Sequence, residues 1–344
     1  MSDQASTRAL PRIAVVIPIL NEAATLDAAL ASVARQDYSR DRFEVIVVDG
    51  GSTDAWRSIV DLHRAAGATI RVMSNPKTTT PAAVNLAITQ TDADSILWIS
   101  GHCVLSPNYL SASASALVAA TNRVTGGRLD VKGEGVRGCL NALLLSSRFG
   151  TGVSSFRFDR TPGPTGSITY SLFRRRMLVD VGGLDEALAR NQDNDLIARL
   201  KEKGIEFWRV DAVATYLAPK TFMGLWRRAF RNGAWSVWGH TRGRGGHSWW
   251  HFVPMLMVGV GVILAIAALL QSQRAFLALG GLAFIYGALA LVSSLATAAP
   301  RGVWWAVPIL PFLFLVHHLI YGLGSWSALV RPNPVPPRTP TNTA

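Results

Sequence analysis

Acidic residues run out well before the chain does. After Asp211 no Asp or Glu occurs, although the whole sequence carries 22 of them against 34 Lys and Arg. The net charge of +12 therefore belongs to the C-terminal part, and it does not describe a soluble basic groove of the kind that grips nucleic acid. Cysteine is scarce too: Cys103 and Cys139 are the only two, too few for a zinc site or a disulfide framework. A long apolar leader is missing at the N-terminus, where Arg8 and Arg12 precede only Ile13 to Leu20 before Asn21 and Glu22 intervene. No secretory signal is expected. Internal repeats are absent, and the one biased stretch is the Pro-rich tail after Pro332, read here as a disordered segment over 331–344.

What the chain has in excess is apolar residues, 49% of the total, with a mean hydropathy of +0.24. They gather in Phe252 to Leu270, Ala275 to Ala299 and Val303 to Val330, each near the roughly 20 residues needed to span a bilayer core. Three spans are expected. Lys220, Arg227, Arg228, Arg231, Arg242 and Arg244 crowd before the first of them, which by the positive-inside rule places the N-terminal part in the cytosol. Trp249, Trp250, Trp304, Trp305 and Trp326 stand at span ends, as in an interfacial aromatic belt. Pro308, Pro311 and the pair His317 and His318 make the third span the least regular, and histidines there suit packing between helices. Between Thr221 and Trp238 aromatic and apolar residues interleave with Arg227, Arg228 and Arg231, the pattern of a helix lying at the membrane surface, with Gly233 as a candidate break.

The N-terminal part alternates short apolar runs with helical periodicity. Ile13 to Leu20, Phe43 to Val48, Ile70 to Met73 and Ser95 to Ser100 read as strands, with helices from Leu26, at Ala55 to Ala66 and at Pro81 to Thr89. Strand and helix in alternation predict an α/β domain with a mainly parallel sheet. Ligands of such open sheets sit outside the carboxyl ends of the strands, so the informative residues are Asn21 and Glu22, Asp49 to Asp54, Asn75 to Lys77, and Ser100 to His102. Farther on, Gly182 and Gly183 form a turn, and Asn191 to Asp195 opens another helix.

Several of these segments carry a resemblance. Val15-Val16-Ile17-Pro18-Ile19-Leu20-Asn21-Glu22 followed by Glu44 to Asp54 (EVIVVDGGSTD) resembles the opening of the family 2 glycosyltransferases, inverting enzymes with the GT-A fold. The likeness continues through Asn75-Pro76, Asn85, Gly182 to Glu186, Gln192 to Leu196 and Arg199, covering roughly residues 13–215. With its added spans the chain is similar to the succinoglycan-type membrane members. The resemblance implies that Asp49 accepts hydrogen bonds from the base or ribose of a nucleotide-sugar donor, that Pro18, Asn21 and Glu22 shape the pocket, and that Ser52, Asp54 and Asn75 join the donor-binding set. It also implies that Asp193 is the general base, with Asp195 supporting it or binding acceptor. A division follows into a cytosolic GT-A domain (1–218), a basic interfacial segment (219–248), a membrane region (249–330) and the tail.

Two departures from the family pattern matter. The Gln-x-x-Arg-Trp motif of the processive synthases is missing around Arg231 to Trp235, so one sugar per cycle is expected. The acidic Asp-x-Asp motif should end the fourth strand, where Ser100-Gly101-His102 stands instead. Asp92-Ala93-Asp94 precedes that strand and should lie at the wrong end of the sheet. His102 is left as the candidate ligand for a divalent cation, Mn²⁺ in preference to Mg²⁺, most of whose ligands the donor's phosphates would supply. The expected partners are the donor, a lipid-linked acceptor, membrane lipids and polysaccharide-assembly proteins, with no nucleic acid. The expected location is the cytoplasmic membrane, multi-pass. The competing reading is a catalytically weak homologue that binds nucleotide and serves as a scaffold.

Overall fold

The computed structural model describes residues 9–152, 160–241 and 248–331. Arg8, Arg242, Arg244 and the tail beyond Arg331 lie outside the described residues. The described residues divide into two compact units, one of 9–130 with 160–216, the other of 131–152 with 217–241 and 248–331. Residues 131–152 are an excursion into the second unit.

The first unit is built on a mixed sheet. Strands β1 (Ile13–Ile19), β2 (Phe43–Asp49), β3 (Ile70–Ser74) and β4 (Ser95–Trp98) pair in parallel in the order β3-β2-β1-β4. β1 lies between two neighbours, and its residues from Ile13 to Ile17 are at most 1% exposed. A parallel strand covered on both faces reads as an unbroken apolar run rather than an alternation, as this sequence does. The sheet continues through β5 (Cys103–Leu105), β6 (Arg123–Lys132), β7 (Gly163–Thr165), β8 (Leu172–Arg174) and β9 (Glu206–Leu217) in the order β4-β8-β6-β9-β5, with β7 also on β9. β8 runs antiparallel to β4, pairing Leu172 with Leu97.

Helices α1 (Ala23–Ala34), α2 (Trp56–Ala65) and α3 (Thr80–Gln90) connect the parallel strands, and α4 (Tyr109–Val118) follows β5. The start of α3 is set by Thr79, whose hydroxyl accepts from Ala82 N at 3.4 Å, and by Pro81 in the first turn. The core gathers Val16, Ile46, Val84, Ile96 and Phe173, and Trp98 stacks on Phe173 with centroids 4.8 Å apart.

The second unit holds α5 (Gly135–Leu145) and the single turn α6 (Arg148–Thr151). In the first unit α7 (Arg175–Asp180) and α8 (Gln192–Glu202) follow β8. The second unit resumes with α9 (Phe222–Thr241), α10 (Val253–Leu269), α11 (Gln273–Ala298) and α12 (Leu310–Val330). Among the described residues three stretches are long and apolar enough to cross a membrane: Trp249–Leu269, Gln273–Arg301 and Leu310–Val330. The third begins later than the sequence pattern suggested. Trp304–Ala306 forms a separate 3-10 turn, and Pro311 stands in the first turn of α12, where its missing N–H leaves no bond unmade.

α12 is the central helix of this unit: 33% of its span is buried, against 6% and 11% for the other two. Small residues let neighbours approach it. A Cβ at Gly233 would collide with Tyr321 O, one at Gly324 with Phe230 O, and one at Gly322 with Pro254 O. Gly233 therefore does not break α9, which runs unbroken through it; the glycine is a contact point. His318 is packed between helices, its Nε2 donating to Phe149 O and its Nδ1 accepting from the Tyr286 hydroxyl, each at 2.9 Å.

Candidate active site

The loops leaving β1 and β2 are clasped to each other. Asn21, at φ 57°, donates its N–H to Ser52 Oγ at 2.9 Å, and its Oδ1 accepts from Thr53 N at 2.9 Å. Asp54 Oδ2 accepts from Ala23 N at 2.7 Å, at the positive end of α1. The sequence grouped Asn21, Ser52 and Asp54 as donor-binding. The structure brings them together, and their bonded atoms build the rim. Asp54 Oδ1 is the exception, buried with no partner among the described residues.

Asp49 ends β2 at 7% exposure. Its Oδ1 accepts from Ser52 N at 2.8 Å and Gly51 N at 3.2 Å, which folds the Gly50-Gly51 turn back over the strand end. Gly51 has φ 91°, a conformation that favours glycine. Asp49 Oδ2 takes no hydrogen bond among the described residues, leaving a fixed, half-engaged carboxylate. Pro18 lies in β1 beside Val48 and contributes shape. Asn75 is occupied in its own turn: Oδ1 accepts from Lys77 N at 3.2 Å and Nδ2 donates to Thr79 O at 2.9 Å, with the side chain 4% exposed.

At the end of β4, Ser100-Gly101-His102 leads into β5. His102 Nδ1 lies 2.9 and 3.1 Å from the two Glu22 carboxylate oxygens, and its ring packs edge-on to Tyr216 with centroids 4.9 Å apart. The sequence treated His102 as a lone histidine; it has a carboxylate partner. Glu22 is thus more than a pocket wall. A carboxylate can only accept, so Nδ1 carries the hydrogen, and in the neutral ring Nε2 presents its lone pair. That is how a metal-ligating imidazole is ordinarily oriented, and it fits one nitrogen ligand to a borderline ion better than an oxygen cage for Mg²⁺. Among the described residues no group of three His, Cys, Asp or Glu side chains gathers to hold an ion. Asp94 lies at the other end of the sheet, accepting from Arg12 N at 2.8 Å.

The loop before α8 is fixed from α3. Asn85 Oδ1 accepts from Leu184 N at 2.8 Å, while its Nδ2 donates to Leu184 O at 2.8 Å and to Glu186 Oε1 at 3.1 Å. Lys77 Nζ donates to Glu186 Oε2 at 2.7 Å, and this bond, with the Asn85 bond, holds the Glu186 carboxyl below the usual range against an opposing contribution from burial. Asp195 lies 2.8 Å from Arg199, which also donates to Val181 O and Gly183 O. Asp195 therefore anchors the double-glycine turn. Asp193, on the first turn of α8, is exposed, and its Oδ1 accepts only from the neighbouring Asn194 N among the described residues. Beside it Gln192 Oε1 is buried with no partner among those residues.

Among the described residues five non-glycine residues have positive φ: Asn21, Thr78, Tyr170, Asn191 and Gln271. The first four flank β1, β3, β8 and α8. Strained backbone gathered in one set of loops is a mark of a functional site.

Comparison with known proteins accords with this geometry. The family model described as Glycosyl transferase family 2 matches residues 14–182. The succinoglycan biosynthesis protein ExoA of Rhizobium meliloti is 27% identical over 337 residues, covering 92% of this chain and 94% of that protein. The validoxylamine A glucosyltransferase of Streptomyces hygroscopicus subsp. jinggangensis is 47% identical over 55 residues, 16% of this chain and 13% of its own. Among solved structures, the mannosyltransferase PcManGT of Pyrobaculum calidifontis, in complex with GDP-Man and Mn²⁺, superposes with a TM-score of 0.55 at 18% identity, over 94% of this chain and 88% of that one.

Proposed function

Because this chain is a family 2 glycosyltransferase with three membrane-length apolar helices, we propose that it is an inverting enzyme that moves one sugar from a nucleotide-diphosphate donor to a lipid-linked acceptor in polysaccharide synthesis. The observation that carries this reading is Asp49: a buried carboxylate fixed by Oδ1 with Oδ2 open at the strand end. Such an acceptor suits a base N–H or a ribose hydroxyl, because charge-assisted hydrogen bonds are short and strong. Asp54 Oδ1, buried and without a partner among the described residues, is a second unsatisfied acceptor in the same loops.

In the step itself the acceptor hydroxyl attacks the anomeric carbon while Asp193 takes its proton. The bond from that carbon to the diphosphate breaks opposite the attack, and the nucleoside diphosphate leaves with the electron pair. The exposure of Asp193 leaves room for an acceptor to approach it. Asp195 acts through Arg199 on the turn that positions α8. His102 Nε2 would be the chain's ligand to a divalent cation, Mn²⁺ before Mg²⁺, with donor phosphates completing the shell. Such an ion, when bound, offsets the charge on the departing diphosphate. Orientation follows the basic residues before the first span: the catalytic unit lies in the cytosol, at the cytoplasmic membrane. The similarity to a succinoglycan biosynthesis protein along nearly its whole length supports the polysaccharide assignment.

Proton NMR of the product tests the stereochemistry. An α-linked donor should yield a β-linked product; an α-linked product would show retention and remove Asp193 from the role of base.

A further inference from the structure

The turn that stands in place of the acidic motif is stapled from a neighbouring strand. Cys103 N donates to Ser100 O at 3.0 Å, closing Ser100 to Cys103 into a four-residue turn with Gly101 and His102 at its centre. Tyr170, just before β8, reaches across to it. Its hydroxyl lies 2.8 Å from Ser100 Oγ. The phenol thus ties the first residue of the turn, whose last residue, Cys103, is buried.

The position of Tyr170 is held against its own preference. Its φ is 57°, a left-handed conformation that crowds the Cβ of a non-glycine residue against its own backbone. The Tyr109 hydroxyl donates to Tyr170 O at 2.7 Å and accepts from Gly127 N at 3.0 Å, and Tyr109 is fully buried. At Gly126 a Cβ would stand 3.1 Å from Tyr170 O and 2.8 Å from Ile168, so the missing side chain leaves the peptide room. Ser171 Oγ donates to Ile168 O at 3.0 Å. Surroundings that over-determine a strained residue point to a function for the strain.

We infer that Tyr170 is a positioning residue for His102. Its phenol fixes the turn from one side and Glu22 fixes the imidazole from the other, so that Nε2 stays directed at the cation that would accompany the donor's diphosphate. This rests on the reading that His102 would ligate that cation, and the test separates the two ideas. Residues that act as a unit are non-additive, so Tyr170→Phe is measured in wild type and in His102→Ala. Three quantities are read: turnover at saturating donor, donor KM, and calorimetric affinity for UDP and GDP in the presence of Mn²⁺.

In wild type, Tyr170→Phe should lower turnover about tenfold, the scale of one hydrogen-bonded contact, with donor KM changed less than about threefold. Affinity for whichever diphosphate binds should fall in step with turnover. In His102→Ala the further loss should shrink to within about twofold. Ser100→Ala removes the same bond from the other end and should repeat the pattern, which keeps the test decisive where Tyr170→Phe folds poorly. Equal losses in both backgrounds, or none in wild type, with His102→Ala itself impaired, would overturn the positioning role alone. A His102→Ala protein with unchanged turnover and diphosphate affinity would overturn the reading beneath it.

Discussion

Asn85 joins α3 to the loop that leads toward Asp193, and its removal should be felt in stability before chemistry. Leu184 is 2% exposed, and both of its backbone polar groups bond to the one Asn85 amide, at 2.8 Å each. Asn85→Ala leaves that N–H and C=O without partners. Each unsatisfied group costs about 1–3 kcal/mol, so with partial access for water the sum is about 2–4 kcal/mol. For a domain of this size that corresponds to a fall of roughly 4–16 °C in melting temperature. Asn85→Asp should be worse at neutral pH than its size suggests. An Asp can still accept from Leu184 N, but it brings oxygen against Leu184 O and Glu186 Oε1, where Asn donates. Thermal melts of both variants, with hydrogen exchange at the Leu184 amide, measure this. A melting temperature within about 1 °C of wild type and unchanged exchange at Leu184 would refute the clamp.

Other outcomes follow from the same geometry. Asp193→Asn should keep donor affinity and lose roughly a hundredfold or more in turnover, read by single-turnover assay. Arg199→Ala should instead destabilise the fold by about 1–3 kcal/mol in a denaturant melt, because Val181 O, Gly183 O and Asp195 lose one shared partner. The Glu186 carboxyl is depressed by Lys77, so its stabilisation is present above the ordinary value of 4.5 and is lost as pH falls through the lower folded value. The melting difference between wild type and Glu186→Gln should shrink along that descent, and a constant difference would contradict it. A reporter fused after Arg331 should lie across the membrane from the catalytic unit if all three helices cross.

Much of the parallel half of the fold was legible because fully buried strands appear as unbroken apolar runs, and β1 and β2 match their expected extents within a residue. Asp49 and the loops carrying Asn21, Ser52 and Asp54 were legible as a set, since each lies at the end of a strand on the same edge. The partnership of Glu22 with His102 was not. Those residues are 80 apart in sequence and meet because β1 and β4 are neighbours, an order that periodicity does not encode. Tyr170 carried no signal, because its role comes from a left-handed φ and from an antiparallel strand, β8, that the sequence pattern did not single out. The spacing of Asp195 and Arg199, four apart on one helix, did carry one: it is the spacing of a structural ion pair. Gly233 was ambiguous for a physical reason, since a glycine that weakens a lone helix also admits a neighbouring backbone.

The central claim is that a nucleotide sugar docks on the open edge of Asp49. Thermal stabilisation of the purified protein by a panel of nucleotide sugars, in wild type and Asp49→Asn, tests it most directly. Asn keeps an acceptor for the turn at Gly51 and Ser52, so the variant should fold within about 1–2 kcal/mol of wild type. One class of donor should stabilise wild type, and the substitution should weaken that donor about thirtyfold or more, because an amide that turns its NH2 toward the ligand replaces an acceptor with a donor. A folded variant that binds the same donor as tightly as wild type would contradict the account.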